Sequence, residues 1–397
     1  MISTMTPGNG ERRAPASGRP QAIVIGAGLA GLACAADLAA AGLAVAVVEA
    51  ADAPGGRMRT DRQDGFLLDR GFQVVNTSYP QMQRRIDLRA LRLRPFTPGM
   101  LLHTGQGRLR FTDPTRRAGQ AGQAADLLPG RLAGPCDLAA LGILSARDML
   151  LPARLIRRGR DEATLDALAR AGISGELIER LFRPFLAGVF LEDELATSSR
   201  FFHLVWRSML RGSLCLPRHG VQAVPAQLAA GLPPGTIRLE TPVSSLTGDG
   251  VALADGTELA APVVVVATGP TLLVDAERTI LHTAVLTEVM PAYSGDGRAL
   301  VCATVLGGTA SGQDAAVRTR LAELYETDTG GWELLRAVQV DGALPAMLPP
   351  HPLSRACRIR PGRYVCGDHR ATGSVQGALA SGARAAREIL ARRDQDR

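Results

Sequence analysis

An apolar run that turns at closely spaced glycines into a second apolar run is the feature that most constrains this chain. Residues 22–25 read Ala-Ile-Val-Ile, typical of a buried strand, and residues 26–31 read Gly-Ala-Gly-Leu-Ala-Gly before a helical pattern that extends to about Ala41. Such glycines permit a tight turn, a close approach of the backbone to a pyrophosphate, and close helix–strand packing. The helix N-terminus adds partial positive charge. We therefore expect a dinucleotide at Gly26, Ala27, Gly28, Ala30 and Gly31.

The next apolar segment, residues 43–48, predicts a second strand that ends at an acid, Glu49. An acid about twenty residues beyond the glycines accepts hydrogen bonds from an adenosine ribose and would repel a 2′-phosphate. The alternative is a glycine-rich turn that binds nothing, but strand, glycines, helix and acid coincide here. Glu49 is therefore predicted to contact the ribose, and the adjacent Ala50 is predicted to contact the cofactor.

The glycine pattern alone does not distinguish NAD from FAD, but residues 53–60 do, and they read Ala-Pro-Gly-Gly-Arg-Met-Arg-Thr. Glycines let this loop lie against a diphosphate, and an arginine pairs with it through charge-assisted hydrogen bonds. The stretch resembles the second pyrophosphate motif of the superfamily of FAD-dependent amine oxidases, protoporphyrinogen oxidases and phytoene (carotenoid) desaturases. The resemblance implies FAD as the cofactor, held by Gly55, Gly56 and Arg57. The alternative is a solvated Gly-Arg loop.

Two further segments carry the same resemblance. Residues 65–74 are similar to the family segment that crosses to the flavin ring, which implies that Gly71 and Phe72 approach the isoalloxazine. Residues 363–366 predict a strand that leads into Gly-Asp-His and then a helix of small residues from about residue 374. In the family, the aspartate binds a ribityl hydroxyl, and the helix dipole favours negative charge on the reduced flavin. The alternative is an ordinary C-terminal helix. The implied contacts are Gly367, Asp368, Ser374 and Val375.

The middle of the chain returns to the nucleotide domain. Residues 236–239 and 243–246 alternate as strands, residues 255–256 predict a hairpin turn, and the four valines at 263–266 predict a buried strand. By resemblance, Val243 touches the adenine and Thr268 follows the returning strand in the cofactor site. No second fingerprint of this glycine type follows a strand, which argues against a separate NAD(P)H domain.

These segments predict an α/β fold. We expect a Rossmann-type FAD-binding domain, a glutathione-reductase-like βαβ unit with a parallel sheet, interleaved with an α+β substrate domain. The expected FAD-binding domain comprises residues 21–77, 215–270 and 355–397, and the substrate domain comprises residues 78–214 and 271–354. Residues 1–20 are expected to form a disordered leader, because they are rich in arginine and lack an apolar core. No run of eighteen apolar residues predicts a membrane span.

Helical patterns recur in residues 78–214, the insert between the first two segments of the expected FAD-binding domain. Apolar residues share one helix face within 177–185 and another within 201–210, either as core or as the lining of an apolar substrate cavity. Ser145 and Asp148 form a capping-box pattern, which predicts a helix start before Met149. Four closely spaced arginines follow, which suit a solvated face or docking to anionic lipid. They are Arg154, Arg157, Arg158 and Arg160.

Charge and cysteine content exclude several classes of function. The net charge is +7, and all 45 basic residues counted as lysine or arginine are arginine. The sequence contains no nucleic-acid-binding module and no stripe of alternating aromatic and basic residues. No two of the six cysteines have the spacing of a metal site or a redox motif, so we expect no metal site and expect the thiols to be reduced. We therefore expect a cytoplasmic protein, with peripheral membrane contact as an open alternative. Nucleic acid is therefore not an expected partner.

Chemistry is expected to follow from the flavin rather than from an assigned catalytic side chain. Amine oxidases of the superfamily generally place a lysine near flavin N5 and two aromatics around the amine, whereas this chain has no lysine and offers Cys366 and His369. The segment 270–298 also looks short, which would reduce one wall of the substrate site. We expect an FAD-dependent dehydrogenase or desaturase of a hydrophobic small molecule, a carotenoid or other isoprenoid, with oxygen or a quinone as electron acceptor. An amine-oxidase or protoporphyrinogen-oxidase activity and a flavin-binding scaffold without turnover are the alternatives.

Overall fold

The computed structural model describes residues 19–104, 107–112, 133–267, 280–305, 314–340 and 343–395, so the predicted leader falls almost wholly outside it. Its strands, in chain order, are β1 Ala22–Ile25, β2 Val45–Val48, β3 Thr60–Gln63, β4 Phe66–Asp69, β5 Val75–Asn76, β6 Arg94–Pro95, β7 Gly99–Thr104, β8 Gly107–Thr112, β9 Leu214–Leu216, β10 Ile237–Arg238, β11 Val243–Leu246, β12 Gly250–Leu253, β13 Glu258–Ala260, β14 Val263–Val266, β15 His282–Val285, β16 Val301–Thr304, β17 Arg358–Arg360 and β18 Arg363–Val365.

Of the twelve α-helices in the described residues, six lie between β8 and β9, and the longest, of 21 residues, comes after β18. A π-helical turn, Ile178–Phe182, joins the sixth helix to the seventh, and short 3₁₀ turns occur at Pro291–Tyr293 and Asp368–Arg370. The α-helices are α1 Leu29–Ala40, α2 Pro80–Arg85, α3 Pro135–Leu150, α4 Ala153–Arg158, α5 Thr164–Arg170, α6 Gly175–Leu177, α7 Arg183–Phe190, α8 Ser199–Arg211, α9 Ala223–Ala230, α10 Leu286–Val289, α11 Asp314–Tyr325 and α12 Val375–Gln395.

A six-stranded sheet in the order β10-β2-β1-β14-β18-β17 forms the centre of the molecule. The first five strands are parallel, and β17 pairs antiparallel with β18. The chain leaves β1 for β2 on one side and later returns to β14 on the other, which makes the carboxyl end of β1 a topological switch point where open α/β sheets bind ligands. The predicted mixed α/β class with a mostly parallel sheet is confirmed.

Alternating burial explains how β1 supports both faces of the sheet. Ala22 and Val24 pack on the side of α1 and α12, whereas Ile23 packs on the other side with Val251 and Val264. Because successive strand residues point to opposite faces, a strand covered on both sides must be apolar throughout, as β1 and β14 are. The antiparallel sheet β11-β12-β13 contributes to the second layer.

The helical insert forms a core of its own. The apolar faces predicted within 177–185 and 201–210 meet there, with Leu177, Phe182 and Phe202 fully buried. The interpretation of these faces as packed core is therefore confirmed for the buried positions. The predicted single helix over 177–185 is interrupted by the π-helical turn, a variation of hydrogen bonding that apolar periodicity does not reveal.

The helix start predicted before Met149 is wrong. α3 begins at Pro135 and passes through both residues of the capping-box pattern. Instead of capping a helix, the Ser145 hydroxyl accepts a hydrogen bond from Trp206 Nε1 at 3.1 Å, and the buried Asp148 carboxylate lies 2.7 Å from His203 Nδ1. Both polar side chains therefore form hydrogen bonds with residues of α8 rather than with the backbone at a helix start.

Candidate functional site

The turn after β1 is built by backbone contacts that leave one side open. The Gly26 N–H donates to the Val48 carbonyl at 2.7 Å, and Gly26 adopts a φ of +98°, which favours glycine. A Cβ on Gly31 would lie 2.0 Å from the Gly26 carbonyl oxygen, so this position requires glycine as well. A Cβ on Gly28, by contrast, would meet no heavy atom within 4 Å. We call this open space next to Gly28 the cradle, and it has the openness that the predicted diphosphate site requires.

The N-terminus of α1 faces this space without a competing side chain. No side chain caps the helix, and no acid occupies its first turn. The N–H groups of a first helical turn lack partners within the helix and attract anions. The residues present therefore fit a diphosphate.

Glu49, at the carboxyl end of β2, is held in place by the main chain. Its carboxylate accepts hydrogen bonds from the Ala27 N–H at 2.6 Å and the Ala51 N–H at 2.9 Å. Ala50, the residue between Glu49 and Ala51, is exposed. The Glu49 carbonyl accepts from the Thr241 N–H at 2.8 Å, which brings the start of β11, Val243, alongside. The predicted ribose and adenine positions thus lie near each other, one just after β2 and the other at the start of β11.

The predicted second pyrophosphate loop docks directly on the first turn. The Gly55 N–H donates to the Ala27 carbonyl at 3.0 Å, and Gly28 and Gly55 form a parallel bridge. A Cβ on Gly56 would lie 3.4 Å from the Gly28 Cα. Both predicted phosphate-binding segments therefore line one cradle.

The two ends of the sequence meet at Arg57 and Asp368. Arg57 Nη2 donates to Asp368 Oδ2 at 2.6 Å, and the aspartate side chain is 7% exposed against 40% for the arginine. The structure therefore brings together two predicted site residues separated by 311 positions. Arg57 also donates to the Ala343 carbonyl.

The C-terminal segment approaches the same edge of the sheet. Gly367 has a φ of +153°, and its N–H donates to Ser381 Oγ at 2.7 Å. The Ser374 hydroxyl accepts from the Gly377 N–H at 3.0 Å just before α12, whose first residue is Val375. A Cβ on Gly382 would lie 2.1 Å from the Ala30 carbonyl oxygen, so α12 packs directly against α1.

The segment predicted to cross to the flavin ring leads into an aromatic cluster. Gly71 adopts a φ of +96°, and Gln73 Nε2 donates to the Arg57 carbonyl at 2.7 Å. The Phe72 ring centroid lies 4.5 Å from that of His282 and 6.0 Å from that of Phe96. Phe72 therefore connects the predicted cofactor loops to a wall that it forms with Phe96, after β6, and His282, on β15.

His282 is a feature of this wall that sequence reasoning missed. Its Nε2 lies 2.8 Å from Thr304 Oγ1, and a Cβ on Gly188 would lie 2.6 Å from its Nδ1, so the glycine makes room for the ring. Burial lowers the pKa of His282 to about 4. The imidazole is therefore neutral at physiological pH. A single histidine in a strand carries no sequence signal for this placement.

Asp69 is a second buried group that sequence reasoning missed. Its carboxylate accepts hydrogen bonds from Thr60 Oγ1 at 2.6 Å, Tyr293 Oη at 2.7 Å and the Val221 N–H at 3.0 Å. Burial raises the pKa of Asp69, although these hydrogen bonds oppose the change. Asp69 thus fastens three distant segments beside the cofactor loops.

Two other polar side chains near the predicted site have structural surroundings. Arg70 forms a two-pronged ion pair with Asp61 at 2.8 and 2.9 Å, and Cys366 is fully buried, which raises the pKa of its thiol. Thr268 lies outside the described residues. Among the residues that the structure does describe, no group of histidine, cysteine or acidic side chains is arranged to hold a metal ion.

Comparison with known proteins identifies the family. The family described as flavin containing amine oxidoreductase matches residues 29–283 and 272–390. The chain belongs to this family. Membership confirms the predicted resemblance, the FAD cofactor and the class of FAD-dependent oxidoreductase.

Individual relatives resemble only parts of the chain. A coproporphyrinogen III oxidase of Bacillus subtilis is 26% identical over 185 residues, which cover 44% of this chain and 38% of the relative. A neurosporene-forming phytoene desaturase of Cereibacter sphaeroides is 35% identical over 127 residues, which cover 30% of this chain and 24% of the relative. The matched stretches thus span well under half of either relative's length.

Solved structures match over nearly the whole chain. Cyclohexylamine oxidase from Brevibacterium oxydans has a TM-score of 0.62 at 18% identity, covering 95% of this chain and all of its own. Putrescine oxidase bound to putrescine has a TM-score of 0.62 at 19% identity, covering 94% of this chain and 99% of its own. At these identities the likeness shows a shared fold. In the described part of the chain, no helix combines the length and apolar character needed to cross a membrane.

Proposed function

We propose that the family's FAD lies across the carboxyl edge of the central sheet and that the chain dehydrogenates an apolar small molecule, a carotenoid or another isoprenoid. In this proposal residues 21–77, 215–270 and 355–397 hold the cofactor. Residues 78–214 and 271–354 enclose the substrate.

The chain's own groups suit these roles. The uncapped first turn of α1 and the Gly55–Gly56 loop would receive the diphosphate, and the Glu49 carboxylate would accept from the ribose. Arg57 would supply charge-assisted hydrogen bonds, and Asp368 would accept from the ribityl chain. The chemistry that a bound flavin supplies is the acceptance of a hydride equivalent.

An uncharged wall beside the flavin segment is the observation that carries the choice of an apolar substrate. Phe72, Phe96 and His282 form this wall, and burial keeps His282 neutral at physiological pH. Such a surface offers packing, which orients an apolar molecule and excludes water. The absence of lysine in the whole sequence gives further support against an amine oxidase site.

Similarity to desaturases supports the same choice. Besides the phytoene desaturase, a hydroxyneurosporene desaturase of Rhodobacter capsulatus is 57% identical, but only over 53 residues. A porphyrinogen is the second candidate substrate, because the coproporphyrinogen oxidase match covers a larger part of this chain.

Anaerobic reduction of the bound flavin tests the proposal. The FAD-loaded protein is mixed with a detergent-solubilised polyene, a porphyrinogen or a diamine, and loss of visible flavin absorbance is followed. We expect bleaching by the polyene and recovery when a quinone or oxygen is added. Bleaching by the porphyrinogen or diamine alone would overturn the isoprenoid assignment. Bound FAD that no substrate class bleaches would favour a flavin-binding scaffold.

Two variants of one residue sharpen the substrate test. His282→Phe keeps the wall uncharged, whereas His282→Arg adds a cation to it. We expect the Phe variant to retain flavin reduction by the polyene and the Arg variant to lose it, with FAD content equal in both. Equal rates in the two variants would contradict the role of an uncharged wall.

A further inference from the structure

The outer face of α3 carries a continuous apolar stripe. Ile143 is 72% exposed and Leu150 is 76% exposed, and the exposed alanines 139 and 146 alternate with them at intervals of three and four residues. That spacing places all four on one side of the helix. The opposite side buries Leu141, Leu144 and Asp148. Single exposed apolar residues are common, but a stripe of them on one helix is a mark of an interaction surface.

The stripe continues around a fixed corner into α4. Met149 is 39% exposed and Leu155 is 47% exposed, on either side of the bend at Pro152. Arg207 on α8 donates to the carbonyls of Asp148, Met149 and Leu151 at 2.6 to 2.7 Å. The carbonyls at the end of α3 are therefore satisfied, and the apolar side chains project from a rigid support rather than from a frayed end.

Exposed arginines border the stripe. Arg147 has a side chain 46% exposed, and Arg154, Arg157 and Arg158 are exposed on or beside α4. Both acids of α3 are engaged, because Asp137 accepts from the Ser174 N–H and hydroxyl and the buried Asp148 pairs with His203 and with Arg147. We call the apolar stripe together with Arg154, Arg157 and Arg158 the α3–α4 face.

We propose that the α3–α4 face docks on an anionic lipid bilayer. An apolar stripe with a cationic border suits a helix that lies in the interface, its side chains among acyl chains and its arginines among headgroup phosphates. A second copy of this chain fits less well, because a two-fold contact would oppose the same arginines. The face offers no aromatic platform for nucleic acid. This inference does not depend on the substrate, since its test needs no turnover.

Vesicle flotation of the purified full chain tests the proposal. The probe is a vesicle of equal parts phosphatidylcholine and phosphatidylglycerol, compared with phosphatidylcholine alone. We expect co-flotation with the anionic vesicles and its decline with added salt. Failure to float with the anionic vesicles at low salt would overturn the proposal.

Two sets of variants separate the apolar and charged contributions. Ile143→Ser with Leu150→Ser, and Arg154→Gln with Arg157→Gln and Arg158→Gln, should each lower the partition coefficient at least about tenfold. The matched controls are Ile359→Ser, which replaces an apolar residue 66% exposed on β17, and Arg320→Gln on α11. We expect the controls to float as the unmodified chain does.

The remaining outcomes are also decisive. Each variant is first checked for its thermal transition and flavin spectrum. We expect both to be unchanged, because the replaced side chains lie outside the core. If the variants float like the controls, binding occurs elsewhere and the proposal is wrong. The unmodified chain could instead fail to float and form a dimer. If Ile143→Ser with Leu150→Ser dissociates that dimer, the face is an interface between copies, and the proposal is wrong.

Discussion

The glycine-lined turn after β1 and the helical cluster around α8 hold their shapes by different means. At the turn, backbone meets backbone, and the Gly31 and Gly382 positions leave no room for a Cβ. In the cluster, Phe182, Phe202 and Trp206 pack with ring centroids between 5.6 and 6.3 Å apart. Side chains can adjust their rotamers around a smaller neighbour, whereas a carbonyl fixed in a sheet or helix cannot move aside.

The two regions therefore differ in what their proposed roles require of the backbone and of the side chains. The proposed cofactor region needs one backbone geometry because its main-chain N–H groups would meet a diphosphate. The helical region needs a filled core, which many combinations of apolar side chains provide. Substitutions should therefore fail abruptly in the first region and gradually in the second.

Gly31→Val should have the largest effect. Its side chain would collide with the Gly26 carbonyl and with Ala267, which cannot shift without breaking the pairing of β1 and β14. We expect a loss of more than about 5 kcal/mol in the free energy of unfolding, seen as failure to obtain folded protein. The matched control is Gly142→Ala on α3, which meets no heavy atom within 4 Å and should gain about 0.5–1 kcal/mol. A soluble Gly31→Val protein with normal circular dichroism would contradict the comparison.

Phe202→Ala should have the next largest effect, within the helical cluster. Phe202 is fully buried, and its removal leaves a cavity that the neighbouring rings fill only in part. We expect a loss of about 3–5 kcal/mol in the free energy of unfolding by urea titration. FAD should remain bound at low temperature, because the cluster lies apart from the cradle. Phe202→Leu, which preserves most of the volume, should lose much less.

The sequence predicted most of what the backbone dictates. β1, β11 and β14 occur at the predicted residues, because glycines and apolar runs specify them locally. Contacts between distant side chains were not predictable. Arg57 and Asp368 were both candidates, but nothing local pairs residues 311 positions apart, and the contact of Asp69 with Tyr293 spans 224. The Ser145–Asp148 pattern failed for the same reason, since α8 supplied partners that the local sequence did not show.

Gly28→Glu should separate cofactor binding from folding. The position has space for a side chain and an ordinary extended φ of −71°, so the sheet should form normally. The carboxylate would fill the cradle and repel the diphosphate at the uncapped end of α1. We expect an unchanged unfolding transition of the cofactor-free protein and FAD binding at least about a hundredfold weaker. Full flavin content in purified Gly28→Glu protein would overturn the assignment of the cradle.

Asp368→Asn should weaken FAD binding by about tenfold, a smaller effect than Gly28→Glu. The amide keeps the shape of the side chain but loses the charge that faces Arg57. Fluorescence titration of the cofactor-free protein measures the affinity, with Arg57→Gln and the double variant completing a cycle. If the two residues act as a pair, the single losses should not add. Additive losses would show that they contact the cofactor independently.

His282 should leave stability near pH 7 almost unchanged and should show its effect as a dependence of stability on pH. Its pKa is about 4 in the folded chain and about 6.5 without burial, so the folded state resists protonation. Well above about pH 6.5 the residue is neutral in both states and contributes no pH dependence. As the pH falls from about 7 toward 5, the unfolded chain binds a proton that the folded chain does not, and stability declines by about 2 kcal/mol. Urea unfolding of cofactor-free protein near pH 7 and near pH 5 should show this decline, and His282→Gln should reduce it. An equal decline in His282→Gln would mean that other groups titrate, and that the wall beside Phe72 accepts a charged imidazole.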